Sequence, residues 1–297
     1  MTEVAVIVAA NGRVASRVVR RLADAGQSPI ALVRDADKAR STLTGEDDAA
    51  LYAELVVAEL TDRAALEEAL SRADVAFLAL GSSPRQAQLE KAVIDAASAV
   101  SLPHLVKLSA AYASADASAS VLRVHADIEA HLLASGVDHT LISPTTFMEI
   151  ALLGAASVRA TGGWFGTAPE GVNALIDSED VVDSVVAVLL DPIMRGATHV
   201  VTGPEALSWP DVARELSARL GRPVSYDVVS IEERTRQLQA AGLAAWRVEL
   251  LLGIDELNRE SLYREPTDTV LALTGRPPRV FADFIGRHRD HFAGSSS

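Results

Sequence analysis

Val4-Ala5-Val6-Ile7-Val8-Ala9-Ala10-Asn11-Gly12-Arg13-Val14-Ala15-Ser16-Arg17-Val18-Val19-Arg20-Arg21-Leu22 is the stretch that decides the fold. Its opening apolar run reads as a strand buried on both faces, and the Asn11-Gly12 turn opens a helix with Val14, Val18, Val19 and Leu22 on its inner side. A strand, a tight turn and a helix in this order begin a doubly wound parallel sheet of the dinucleotide-binding type. In helix register, Ala9 to Ala15 takes the place of a G-x-x-G-x-x-G phosphate loop in which only the central Gly12 remains. Glycine at such positions lets the turn close, lets the backbone approach a pyrophosphate and lets helix and strand pack closely. Ala15 is a mild change, whereas the Ala9 methyl group is expected to project toward a bound phosphate or ribose. The helix N-terminus stays available to an anion.

Outward from that stretch the same unit repeats. Pro29 to Val33 is a second strand, followed by Arg34, Asp35 and Lys38. An acid at the end of this strand holds ribose hydroxyls and a base meets a 2′-phosphate, while a solvated basic loop is the plainer alternative. Strands are further expected at 52–60, 74–80, 104–109 and 138–142, with helices between them, the Gly81-Ser82-Ser83-Pro84 turn closing the fourth strand. This alternation with short connections predicts an α/β fold, a doubly wound parallel sheet of Rossmann type with helices on both faces. After Ser143 the pattern changes, so the expected division is 1–143, nucleotide-binding-like, and 144–297, a smaller and mostly helical substrate-side region over the C-terminal edge of the sheet. In that second part Gly162 to Gly166 reads as irregular, Ser178 begins a helix and Thr198 to Gly203 reads as a strand. Ser208-Trp209-Pro210-Asp211 reads as a capping box that starts a helix ended by Gly221, and the chain finishes in a polar, serine-rich end.

Composition narrows the function. With 297 residues, 49% of them hydrophobic, the chain can bury a large core, and a net charge of -13 repels polyanions, so no nucleic-acid partner is expected. The absence of cysteine excludes disulfides and thiol nucleophiles. No signal peptide or membrane span is legible, which predicts a cytoplasmic protein without a membrane partner, as a monomer or homodimer. No metal-ligand cluster, Walker loop or nucleophile elbow occurs.

The sequence resembles the NmrA-like family, atypical members of the short-chain dehydrogenase/reductase group, over nearly its whole length. The likeness is carried by Val33-Arg34-Asp35-Ala36-Asp37-Lys38-Ala39, Glu59-Leu60-Thr61-Asp62, His104-Leu105-Val106-Lys107-Leu108-Ser109, and His125 to Glu129 with Leu132 and Ser135-Gly136. Pro144 with Phe147-Met148-Glu149, Ile176-Asp177 with Asp180-Val181, Val201-Thr202-Gly203-Pro204, and Thr274 to Pro278 with Phe281 extend it. The resemblance implies NADP(H) lying over the loop residues Asn11, Gly12, Arg13 and Val14, over Arg34 and Lys38, and over Glu59-Leu60 and Leu80-Gly81. Members include NADPH-dependent quinone or azo-dye reductases, non-catalytic redox sensors that act through a partner, and enzymes of secondary metabolism. The departures are Ala9 and Ala15 in the loop, Ser143 for the usual Arg before Pro144, and Ile150 for the usual Asn. They lead to a first expectation of an enzyme acting on a small, flat aromatic or quinonoid metabolite with the nicotinamide role weakened or lost. The alternatives are an NADPH-dependent quinone or azo-type reductase and a non-catalytic NADP-sensing regulator.

The chemistry is expected on a few side chains. The Tyr-x-x-x-Lys of ordinary short-chain dehydrogenases is replaced by His125-Ala126-Asp127-Ile128-Glu129, in which Glu129 lies one turn from His125 and is expected to orient the imidazole or raise its pKa. Lys107 and Ser109 share one face of the fifth strand, where Lys107 is either a charge stabiliser or a lysine reaching solvent. His125, Lys107 and Ser109 form the expected catalytic set. Tyr112, Phe147, Met148, Ile150, Trp164 and Phe165 are the expected substrate contacts, the last five as an apolar slot for a flat ring or, more simply, as packing.

Overall fold

The computed structural model describes residues 3–44 and 51–293, so the serine-rich end at Ser295 to Ser297 lies outside the described residues. The first part of the chain alternates as β1 (Ala5–Val8), α1 (Arg13–Asp24), β2 (Ile30–Val33), α2 (Ala36–Leu43), β3 (Glu54–Val57), α3 (Arg63–Leu70), β4 (Val75–Leu78), α4 (Gln86–Ala99), β5 (Leu105–Leu108), α5 (Ser120–Ser135) and β6 (His139–Pro144). These strands form a seven-stranded sheet in the order β3-β2-β1-β4-β5-β6, closed at the far edge by the strand Thr198–Val201. Every pairing from β3 to β6 is parallel. The order reverses between β1 and β4, and that reversal is where a doubly wound sheet opens the crevice that receives a ligand.

Sequence dictates this layout through burial. All residues of β1, β2 and β4 are buried, which is what continuous apolar strands need when both sheet faces are covered. On one face Val6, Val8, Leu32, Ala76 and Leu78 join Leu66, Val93, Ile94, Ile128 and Leu132 from the helices in a single apolar cluster. Each such large aliphatic contributes roughly 1.5–3 kcal/mol when fully buried. The edge strand β3 is open to solvent, with Val57 exposed.

The chain divides into two compact units, and the division is discontinuous. Residues 1–115, 123–143 and 181–199 form one unit, and residues 116–122, 144–180 and 200–297 form the other. The expected cut after Ser143 coincides with one boundary, but the stretch 181–199, which holds most of the helix Ser178–Leu190, returns to the sheet unit.

Within the second unit, helices are joined by short strands. The Gly163–Gly166 segment, expected to be irregular, is a strand that pairs in parallel with Ser225–Val228. It is strand because a distant partner, the strand that begins at Ser225, supplies the ladder, a non-local cause that local composition does not carry. The glycines fit that role, since a Cβ at Gly166 would collide with the Tyr226 side chain. The Ser208 capping box with Asp211 forms as expected, and Gly221 ends that helix with φ 69°. Arg279 and Arg287 are ion-paired to Asp180 and Asp177, which ties the last helices to the rest of this unit.

Candidate active site

The β1–α1 turn keeps its shape without its outer glycines. Gly12 caps α1, its N–H donates to the Ala9 carbonyl at 2.8 Å, and a Cβ on Gly12 would meet that carbonyl oxygen at 3.2 Å. Ala9 takes φ 52°, in the left-handed region that favours glycine and costs an L-residue about 1–2 kcal/mol. Its effect on the turn is therefore conformational energy, not loss of closure. Among the described residues no side chain caps the amides of the first helical turn and no acid lies in that turn, which leaves the positive end of the helix uncompensated by them. Asn11 and Arg13 are exposed and Val14 is buried. Ala15 is buried against the turn, where its methyl group is accommodated.

At the end of β2 the charges sort themselves. Asp35 caps α2, accepting from the amides of Asp37 and Lys38, both at 3.1 Å. That carboxylate is committed to the helix, so the ribose-holding role an acid plays in this position is compromised. Arg34 is exposed and has no hydrogen bond or ion pair among the described residues, and the largely exposed Lys38 lies 3.8 Å from Asp35. Along the same edge Glu59 and Gly81 are exposed, Leu60 is buried and Leu80 is half-buried. Nothing lies within 4 Å of a Cβ placed on Gly81. An uncapped helix N-terminus, a free guanidinium and an open glycine suit a dinucleotide with a 2′-phosphate.

The second half of the site is made of side chains. Lys107 on β5 is fully buried, which removes the reading of a lysine reaching solvent. Its ammonium donates to the Leu108 carbonyl at 2.9 Å and lies 3.2 Å from His125 Nδ1 and 3.1 Å from Glu90 Oε2. Glu90, on α4, is also fully buried, and its other oxygen accepts from Gln86 Nε2 at 3.0 Å. Ser109 Oγ donates to Glu129 Oε1 and lies 3.5 Å from His125 Nδ1. The expected His125–Glu129 partnership is thus corrected. Glu129 is engaged by Ser109 across the β5–α5 interface, and burial followed by the Lys107 charge holds the imidazole well below the usual histidine range instead of raising it.

Glu90 and Gln86 escaped the sequence reading. Their signal was present: Gln86 and Glu90 sit one turn apart on the stripe of α4 that continues through Val93, Ile94 and Ala97, so a carboxylate interrupts an apolar face. A buried acid on such a stripe demands a cation, and Lys107 is the one the sheet supplies.

The remaining expected contacts separate. Met148 and Trp164 are buried in the core of the second unit, where Trp164 stands edge-on to Trp209 at 5.4 Å and to Tyr226 at 6.3 Å. These two are packing, not an exposed slot. Phe147, Ile150 and Phe165 are half-buried, Ile150 against that same core. Tyr112 is 48% exposed with φ 57°. Among the described residues no group of three or more His, Asp or Glu is disposed to hold a metal, and no helix is long and apolar enough to cross a membrane.

The model of the NmrA-like family matches residues 1–269. The chain is 31% identical over 290 residues to the NAD(P)H azoreductase of Xenophilus azovorans, covering 97% of this chain and 99% of that protein. It is 33% identical over 291 residues to the (4-alkanoyl-5-oxo-2,5-dihydrofuran-3-yl)methyl phosphate reductase of Streptomyces griseus, covering 97% and 98%. Among solved structures, the NADPH-dependent quinone oxidoreductase QOR2 of Escherichia coli, complexed with NADPH, aligns with a TM-score of 0.88 at 22% identity over 96% of this chain and 99% of that one, a likeness of fold. The reversal of strand order, the β1–α1 turn and a family match reaching through both units lead to one assignment: the chain belongs to the NmrA-like family.

Proposed function

We propose that this protein is an NAD(P)H-dependent reductase of flat, conjugated acceptors of the quinone or azo type, with a preference for the 2′-phosphorylated cofactor. The observation that carries the reading is the β1–α1 turn, which retains a left-handed residue at Ala9 and an uncapped helix behind Gly12 although two loop glycines are absent. The expectation of a weakened nicotinamide role finds no support in the full-length relatives, whose names specify reduction, one of them with NAD(P)H. The amides of Arg13, Val14 and Ala15 would take the pyrophosphate, and Arg34, with Lys38 beside it, would take the 2′-phosphate. A bound nicotinamide supplies the hydride. The protein's own contribution is to hold the acceptor near the end of β5 and to meet the charge that develops on its heteroatom, a task for the Lys107–His125 pair.

The test is steady-state oxidation of NADPH and NADH with a naphthoquinone and with an azo dye, on the unmodified protein and on Arg34→Ala. Turnover is expected with NADPH. In Arg34→Ala the KM for NADPH should rise about tenfold or more, the loss of a charge-assisted hydrogen bond of roughly 1.5–3 kcal/mol, while the KM for NADH and both kcat values hold. Tight NADPH binding without turnover of either acceptor would replace this reading with that of a nucleotide-sensing regulator.

A further inference from the structure

The hydrogen-bond inventory around His125 fixes more than its charge. A lysine ammonium offers three N–H donors and no acceptor. Glu90 Oε2 lies 3.1 Å from that nitrogen with both side chains fully buried, an ion-pair contact in which lysine is the ammonium partner. One N–H goes to the Leu108 carbonyl, and the contact to His125 Nδ1 at 3.2 Å is then a donation from lysine to imidazole. A ring nitrogen that accepts carries no proton. The Ser109 hydroxyl, 3.5 Å from the same nitrogen, does not reverse this, because its hydrogen goes to Glu129 Oε1. A neutral imidazole has a single N–H, so that proton sits on Nε2, which has no hydrogen-bond partner among the described residues.

We infer that Glu90 and Lys107 are positioning residues that lock His125 in the Nε2–H tautomer, making its outer nitrogen a fixed hydrogen-bond donor to the carbonyl-type oxygen of the acceptor substrate. His125 touches the substrate; Lys107 acts through it, and Glu90 acts through Lys107. The buried positive charge polarises the ring, so the Nε2–H donor strengthens as negative charge grows on the substrate oxygen, and no proton has to leave the imidazole. Gln86, donating to Glu90 at 3.0 Å, fixes the far end of the series. The donor role rests on the reductase reading; the tautomer does not.

Long-range proton–nitrogen NMR of histidine-labelled protein tests it, with the His125 signals assigned by their loss in His125→Gln. The expected result is a pyridine-type Nδ1 and a pyrrole-type Nε2, unchanged from about pH 6 to pH 8, with the Nε2 signal moving when 1,4-naphthoquinone is added. Lys107→Met should give a mixture of tautomers and Lys107→Arg should restore the single one. Should Lys107→Met fail to fold, the double variant Lys107→Met, Glu90→Leu removes both charges together and should show the same mixture. In turnover, His125→Ala should lower kcat for the quinone at least tenfold with NADPH binding unchanged, and His125→Gln should recover part of it. A protonated Nδ1 in the unmodified protein, a single Nε2–H tautomer persisting without Lys107, or an Nε2 signal indifferent to the quinone would each overturn the inference. Failure of the reductase reading would show instead as absent turnover with the tautomer and the quinone-induced shift intact.

Discussion

The two halves of the site are built from different materials. At the β1–α1 turn recognition is assigned to backbone: amides at a helix end, held by one 2.8 Å hydrogen bond and a left-handed residue. At β5–α5 it is assigned to side chains from three elements, Glu90, Lys107 and His125, two of them charged and with no exposure at all. A backbone turn tolerates a change of residue so long as φ and ψ are kept, and this one keeps its closing hydrogen bond with Ala9 at φ 52°. A side-chain series has no such tolerance, because removing one member leaves its neighbour buried and unmatched.

The largest expected effect breaks the side-chain half. Lys107→Met alone should destabilise the protein by about 3–5 kcal/mol, the usual consequence of stranding a buried carboxylate, while adding Glu90→Leu should return most of that loss. Equilibrium urea unfolding of the two single variants and the double measures it, and additive losses would mean that the pair is not coupled.

A second buried imidazole sharpens the comparison, since His104 stands just before β5, at the end away from Ser109, with no proposed chemistry. His104 Nε2 lies 2.8 Å from Thr140 Oγ1, and burial lowers its pKa to about 4 from 6.5. The unfolded chain therefore binds a proton that the folded one refuses between those values. The contribution of neutral His104 is complete above about pH 6.5 and falls away as pH drops toward about 4. His104→Gln, which keeps a side-chain partner for Thr140, should flatten the fall in stability between pH 7 and pH 5 read by denaturant midpoints.

The smallest effect belongs to the backbone half. Ala9→Gly relieves left-handed strain of about 1–2 kcal/mol and returns roughly 0.5–1 kcal/mol as unfolded-state entropy, so stability should rise by about 1 kcal/mol or less. The affinity for NADPH in calorimetric titration should move by roughly fivefold at most. A gain of several orders of magnitude would mean that the methyl group, not the strain, is what the glycine avoids.

The contrast also explains what the sequence made legible. Buried strands such as Val6-Ile7-Val8 and Val75 to Leu78 announce themselves because their periodicity is local, and the Ser208 cap and Gly221 stop are written in adjacent residues. The strand at Gly163–Gly166 was hidden because its partner begins at Ser225. Lys107, Ser109 and His125 could be chosen from strand and helix position, but not their pairings. His125 and Glu129 are neighbours along α5, yet Ser109, just past β5, takes the carboxylate and Lys107 takes the imidazole. Glu90 needed the α4 stripe to be read for its one charged interruption together with the strand that it faces.

The interleaving of the two units has a consequence for how the protein is made. The sheet unit is not finished when β6 leaves the ribosome, because residues 181–199 still have to arrive, and residues 144–180, a segment belonging to the other unit, must emerge first. During synthesis β6 therefore waits with an unpaired edge until the strand Thr198–Val201 is translated. The nascent chain has an interval in which a parallel sheet lacks its last strand, and a translational pause placed before codon 199 would prolong the period in which that edge is open to another chain.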